Sequence, residues 1–160
     1  MGLSQLVLVS PQSFPDPVAT ARAAGADDIL QSARVVGSLA EALEGTVFAA
    51  AMTARRREMA VPMKWARDAA GELVHLAAKG DVALVFGNET KGLSNEDVAL
   101  CHMPVTIPVS PEYSSLNLGA AVQVLSYELR MAALDPGRAP ALEFEPATHE
   151  QIEGFYAHLD

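Results

Sequence analysis

Residues 82–124 read VALVFGNETKGLSNEDVALCHMPVTIPVSPEYSSLNLGAAVQV. The apolar run 82–86 predicts a strand buried on both faces. Gly87 ends it, and a polar loop follows over 88–91. Gly92 and Leu93 then lead into a short helix. Ser94 is its N-cap and Asp97 stands three residues on, a capping box. Glu96 and Asp97 in the first turn also suit the positive end of the helix dipole. A second apolar strand over 104–109 precedes a polar turn at 110–115. A long helix starts near Asn117, with apolar residues at Leu118, Ala121, Val122, Leu125 and Leu129, the spacing of one buried face. Two strands thus end in two polar turns. In a parallel sheet such strand ends lie together and form a crevice for ligands.

The flanking sequence repeats the alternation. Strands are predicted over 5–9, 34–36 and 47–51. A helix over 18–24 has Asp16 as N-cap and Pro17 at its first position, and Gly25 stops it. Residues 27–30 begin another short helical or extended piece. Ser38 and Glu41 form a second capping box, for a helix ending near Gly45. Residues 58–64 read as loop, with Pro62 inside it. A helix over 69–78 follows, closed by Gly80. Pro136 and Gly137 terminate the long helix, residues 135–148 form a Pro- and Ala-rich linker, and the tail from Glu150 begins a second helix. Strands alternating with helices predict an α/β fold, a mainly parallel sheet with helices on both faces. The division is a domain over 1–134 and an extension over 135–160.

With 160 residues, half of them apolar, the chain suits one domain with a real core. No apolar run is long enough for a membrane span, and residues 1–9 lack the basic start of a signal peptide. A single cysteine, Cys101, rules out an internal disulfide and fits a reducing, cytoplasmic setting. The net charge of −9 argues against broad electrostatic binding to nucleic acid. Any such contact must be local, and the cluster available is Arg55, Arg56 and Arg57, followed by Lys64 and Arg67.

The spacing Gly87-x-x-x-x-Gly92 is that of a phosphate-binding loop, but Leu93 stands where the phosphate-reaching lysine belongs. No G-x-G-x-x-G follows the first strand either. His75, His102, His149 and His158 have no partners at metal spacing, so no metal is expected. Cys101-His102 reads as packing at a helix end. Ser114 and Ser115 offer hydroxyls without a nucleophile elbow around them. They are either chemical groups or caps of the long helix. Glu89 either accepts hydrogen bonds from a ligand or anchors its loop.

LVFGNETKGLSNE, followed by IPVSPEYSSLNLGAAVQVLSYELR, closely resembles two motifs of the knotted SPOUT (SpoU/TrmH-type) RNA ribose methyltransferases, and PEYSSLNL is most similar to their TrmJ branch. The resemblance runs from Gly2 to about Arg130. It implies a C-terminal trefoil knot that folds S-adenosyl-L-methionine between three loops. These carry over as Met52, Thr53 and Ala54, then Gly87, then Ile107 through Ser114, Ser115 and Leu116. It implies that Asn117 and Glu89 hold the loops together, and that Ser115 helps to place the reacting ribose. Ser115 and Glu89 are thus the residues nearest the chemistry. It further implies methyl transfer to a ribose 2′-hydroxyl of tRNA, or of rRNA, and a homodimer formed through the knot region. Arg55, Arg56 and Arg57 would meet the RNA. The alternative is a non-catalytic RNA-binding or dimerisation module that keeps the cofactor pocket. Family members begin with a further strand and a helix carrying Asn-x-Gly-x-x-x-Arg, whose arginine helps remove the hydroxyl proton. Residues 1–160 contain no such motif, so by themselves they are expected to lack an inner strand and to be inactive on tRNA.

Overall fold

The structure, a computed structural model, describes residues 2–54, 62–110, 112, 116–134, 155 and 158. Along the chain run β1 (Val7–Val9), α1 (Pro17–Arg22), α2 (Asp27–Gln31), β2 (Arg34–Val36), α3 (Leu39–Ala42), β3 (Phe48–Met52), β4 (Lys64–Trp65), α4 (Ala66–Ala77), β5 (Val82–Val85), α5 (Asn95–Ala99), β6 (Met103–Thr106) and α6 (Leu118–Leu134). Among the described residues every strand pair is parallel. The α/β reading therefore holds, but the pairing falls into two sheets rather than one: β1 with β2, and β4-β6-β3-β5 in that order. Among the described residues, β1 and β5 each pair along one side only.

The centre of the larger sheet is β3, whose Ala49, Ala50 and Ala51 are buried almost completely. Their alternation divides the core between two faces. Ala50 packs with Ala66, Ala69 and Leu73 of α4 and with Leu125 of α6, backed by Phe48 and Met52. Ala49 and Ala51 pack with Leu93 and with Val98 of α5, backed by Leu39 of α3 and its C-cap Leu43. Small side chains at the middle strand let helices come close on both sides. Residues 82–86 do pack on both faces, Val82, Leu84 and Phe86 against one core and Ala83 and Val85 against the other, but less deeply than expected. Among the described residues β5 is paired on one side only, and its Val82, Ala83 and Leu84 are half-buried. An apolar run reports burial but not position in the sheet.

The predicted N-caps at Asp16 and Ser94 are realised. Asp16 Oδ1 accepts from the Val18 and Ala19 N–H groups at 2.7 and 3.1 Å. At α5 the box is reciprocal: Asp97 N–H to Ser94 Oγ is 3.0 Å and Ser94 N–H to Asp97 Oδ2 is 2.9 Å. At α3 only half of the expected box forms. Ser38 Oγ accepts from Glu41 N–H at 3.2 Å, but the Glu41 carboxylate takes the N–H of Gly37 instead. β6 stops at Thr106, three residues short of the expected end, because Pro108 has no N–H to continue a ladder. α4 starts at Ala66 rather than Ala69, directly after the two-residue β4 that occupies part of the expected loop. On α6, Leu125 is fully buried, whereas Val122, expected on the buried face, is 38% exposed. The expected helix stop at Pro136-Gly137 and the linker lie outside the described residues. Of the tail, Phe155 and His158 are described, joined by a 3.2 Å bond from His158 N–H to the Phe155 carbonyl. No helix among the described residues is long and apolar enough to cross a membrane.

Candidate functional site

A cleft of about 350 Å³ opens at the carboxyl ends of β3, β5 and β6. Its size is that of a small-molecule site. β3 contributes Met52 and the following Thr53 and Ala54, β6 and its exit contribute Thr106, Ile107 and Val109, and the approach to α6 contributes Leu116 and Leu118. The loop after β5 closes the remaining side with Asn88, Glu89, Thr90, Lys91 and Gly92. The parallel register produces this convergence, since Met52 pairs with Val105 and Ala51 with Val85. Thr53 is buried, and its N–H donates to the Val105 carbonyl at 2.9 Å, which fixes the first turn against β6.

Six of the expected site residues line this cleft together: Met52, Thr53, Ala54, Glu89, Ile107 and Leu116. Asn117 stands beside it and caps α6, its Oδ1 accepting from Ala120 N–H at 2.7 Å. The capping considered for Ser114 and Ser115 is thus supplied by Asn117. Ser114 and Ser115 themselves lie outside the described residues, as do Arg55, Arg56 and Arg57. Gly87 is not part of the wall. A Cβ there would lie 2.1 Å from the carbonyl carbon of Gly92, so the space it preserves belongs to the protein's own backbone.

The loop anchor is Asn88, not Glu89. Asn88 Oδ1 accepts from the N–H groups of Thr90 and Lys91 at 3.1 and 2.7 Å, and its carbonyl accepts from Gly92 N–H at 2.9 Å. Gly92 closes the turn at a φ of 68°. An asparagine opening a polar turn that ends in glycine is the sequence signal for this arrangement. Glu89 and Lys91 are both exposed, and among the described residues neither has an ion-pair or hydrogen-bonding side-chain partner. Among the described residues the cleft wall therefore offers one carboxylate acceptor, Glu89, one cation, Lys91, and several apolar faces.

The wider basic cluster is smaller than its sequence suggests. Lys64 pairs with Glu72, and Arg67 pairs with Glu128 of α6 at 3.3 Å. Cys101 and His102 do pack, as expected. His102 stacks on Phe48 with ring centroids 4.7 Å apart, and its Nδ1 accepts from Ala49 N–H at 3.1 Å. Burial and the charge of Asp97 push the Cys101 thiol up to about 11. No group of three or more His, Cys, Asp or Glu side chains among the described residues gathers as for a metal ion.

The family described as SpoU rRNA Methylase matches residues 1–127. The tRNA (cytidine/uridine/adenosine-2′-O-)-methyltransferase TrmJ of Pseudomonas aeruginosa is 49% identical over 171 aligned positions, covering all of this chain and 66% of that protein. A probable methylase family protein from Haemophilus influenzae superposes with a TM-score of 0.79 at 42% identity, over 99% of this chain and 66% of the other. TrmJ from Z. mobilis ZM4 superposes with a TM-score of 0.76 at 38% identity, again over 99% and 66%. The chain spans about two-thirds of the length of the curated relatives it matches.

Proposed function

The chain belongs to the SpoU rRNA Methylase family, and on that premise we propose that it binds S-adenosyl-L-methionine in the cleft and methylates a ribose 2′-hydroxyl of tRNA. The observation that carries this reading is the composition of the cleft wall. Ile107 and Leu116 offer apolar faces for a planar base, and the strand-end backbone at Ala54, next to the Thr53 N–H already held by Val105, offers groups for its edge. The donor set therefore fits a cofactor that is apolar at one end and charged at the other. That cofactor supplies an electrophilic methyl group. The chain's own work is to position the ribose oxygen and to accept its proton.

Glu89 suits the second task, because the loop is already anchored by Asn88 and the carboxylate is free to accept a hydrogen bond from an incoming hydroxyl. Ser115 is the further candidate for placing the ribose. Lys91, on the same loop, is a cation for an RNA phosphate. Arg55, Arg56 and Arg57 follow directly on the first cleft turn and serve the same end. The trefoil knot belongs to this reading too. β6, made after β5, lies between β3 and β4 in the sheet, the kind of late insertion a knotted path requires. The homodimer is supported by α6, where Val122, Tyr127 and Leu134 remain exposed.

Calorimetry with S-adenosylhomocysteine tests the cleft. Ala54 is an exposed wall residue, so Ala54→Trp is expected to abolish binding while Tm stays unchanged. Unchanged affinity would overturn the site. With the Asn-x-Gly-x-x-x-Arg strand and helix of the family joined ahead of residue 1, Glu89→Gln is expected to keep that affinity and to lower methyl transfer to tRNA by roughly 10²–10⁴-fold. Transfer to rRNA but not tRNA would redirect the substrate, and cofactor binding without turnover on either would leave a binding module. Joint replacement of Arg55, Arg56 and Arg57 by Ala is expected to reduce the salt slope of tRNA binding by up to about 3.

A further inference from the structure

Trp65 is the only tryptophan of the chain, and 61% of it is exposed. Tryptophan is seldom left so open, since it offers the largest apolar area of any side chain. Its position is also a poor one for local stability. Trp65 is the N-cap of α4, where Ser, Thr, Asp or Asn would accept a backbone hydrogen bond, and it makes no side-chain cap bond. Neither core packing nor helix capping accounts for it.

Its place in the sheet is informative. Trp65 is the last residue of β4 and stands in register with Thr106 of β6. Thr106 is part of the cleft wall. One strand spacing, about 4.8 Å, therefore separates the Trp65 backbone from the cleft. Because β4 and β6 run parallel, Trp65 is at the carboxyl end of the sheet, where the cleft opens. The neighbouring cations, Lys64 and Arg67, are engaged with Glu72 and Glu128. What this rim presents is an aromatic face beside neutralised charge.

We propose that Trp65 is a stacking platform for an unpaired base of the RNA, next to the nucleotide whose ribose enters the cleft. The proposal rests on the RNA-methyltransferase reading above. With a net charge of −9, phosphate attraction over a broad surface cannot supply the affinity. Stacking on an aromatic ring is the contact that binds RNA without charge, and it selects single-stranded loops whose bases are free to splay out.

As the lone tryptophan, Trp65 reports on itself. Titration of the protein with tRNA under selective tryptophan excitation is expected to quench its emission. Trp65→Ala is expected to weaken tRNA binding roughly tenfold or more, and Trp65→Phe to restore most of that loss. Trp65→Asp separates the role from folding, because it supplies the missing cap. It is expected to raise Tm yet bind tRNA as weakly as the Ala variant. S-adenosylhomocysteine affinity is expected to stay constant throughout. Unchanged emission at saturating tRNA, or wild-type tRNA affinity in Trp65→Ala, would overturn the proposal. An emission shift on diluting the protein without RNA would place Trp65 between two copies of the chain and overturn it as well. Absence of S-adenosylhomocysteine binding in the wild type would instead count against the parent reading, whatever the tRNA titration shows.

Discussion

A methyl group added at Gly87 would lie 2.1 Å from the carbonyl carbon of Gly92 and 2.3 Å from the nitrogen of Leu93. Backbone cannot yield as a side chain does, so Gly87→Ala is expected to destabilise the fold by about 2–3 kcal/mol. Gly92 differs: it has open space around it but a φ of 68°. Gly92→Ala is expected to cost about 1–2 kcal/mol through backbone strain alone. Urea unfolding of the two variants separates them, and a cheaper Gly87→Ala would contradict the close approach. Cys101 yields a chemical prediction. Its thiol is pushed up to about 11, first by burial and then by Asp97, and it donates to the Asp97 carbonyl at 3.4 Å. Alkylation at pH 8 is expected to run roughly 100-fold slower than in urea, since the thiolate is the reacting form. The folded thiol titrates above the unfolded one. The stability it contributes is therefore complete below about pH 9 and lost as pH rises towards about 11.

Helices α5 and α3 carry the same Ser-x-x-acid pattern but close differently. Ser94→Ala breaks a reciprocal box and is expected to cost about 1 kcal/mol. In α3 the acid serves Gly37, so Glu41→Gln leaves the Ser38 cap in place and is expected to cost less. Thermal melts of the two variants check the order. The caps at Asp16 and Ser94 were legible in the sequence because a short polar side chain before an apolar period has few other uses, whereas the cap of α6, expected at Ser114 and Ser115, is found at Asn117. The start of α4 was not legible, since Trp65 carries no acceptor to announce it. β4 was hidden for another reason: two residues have no period, and only pairing with β6 makes them a strand. Much of the cleft could be read from strand ends and motif resemblance together. What could not be read was the division of labour between Asn88 and Glu89. Both carry acceptors, and only the backbone path decides which one turns inward.

At the scale of the whole molecule, the net charge is −9, and Lys64 and Arg67 are paired with Glu72 and Glu128. The protein is expected to dimerise through α6, and light scattering at micromolar concentration checks it; a monomer would count against that interface. The strand order β4-β6-β3-β5 bears on how the ribosome delivers the protein. Among the described residues β3 and β4 are not paired with each other, and β4 has no sheet partner except β6. While a nascent chain has emerged only as far as His102, β3 can pair with β5 but β4 has nothing to hold it. Trypsin is then expected to cut after Lys64 in arrested nascent chains of that length. Once residues 103–106 emerge, β6 enters between its neighbours and the cut is expected to disappear. The strand made last is the one that lets the earlier ones meet, so a premature stop anywhere before it leaves a polypeptide that quality control can recognise as unfinished.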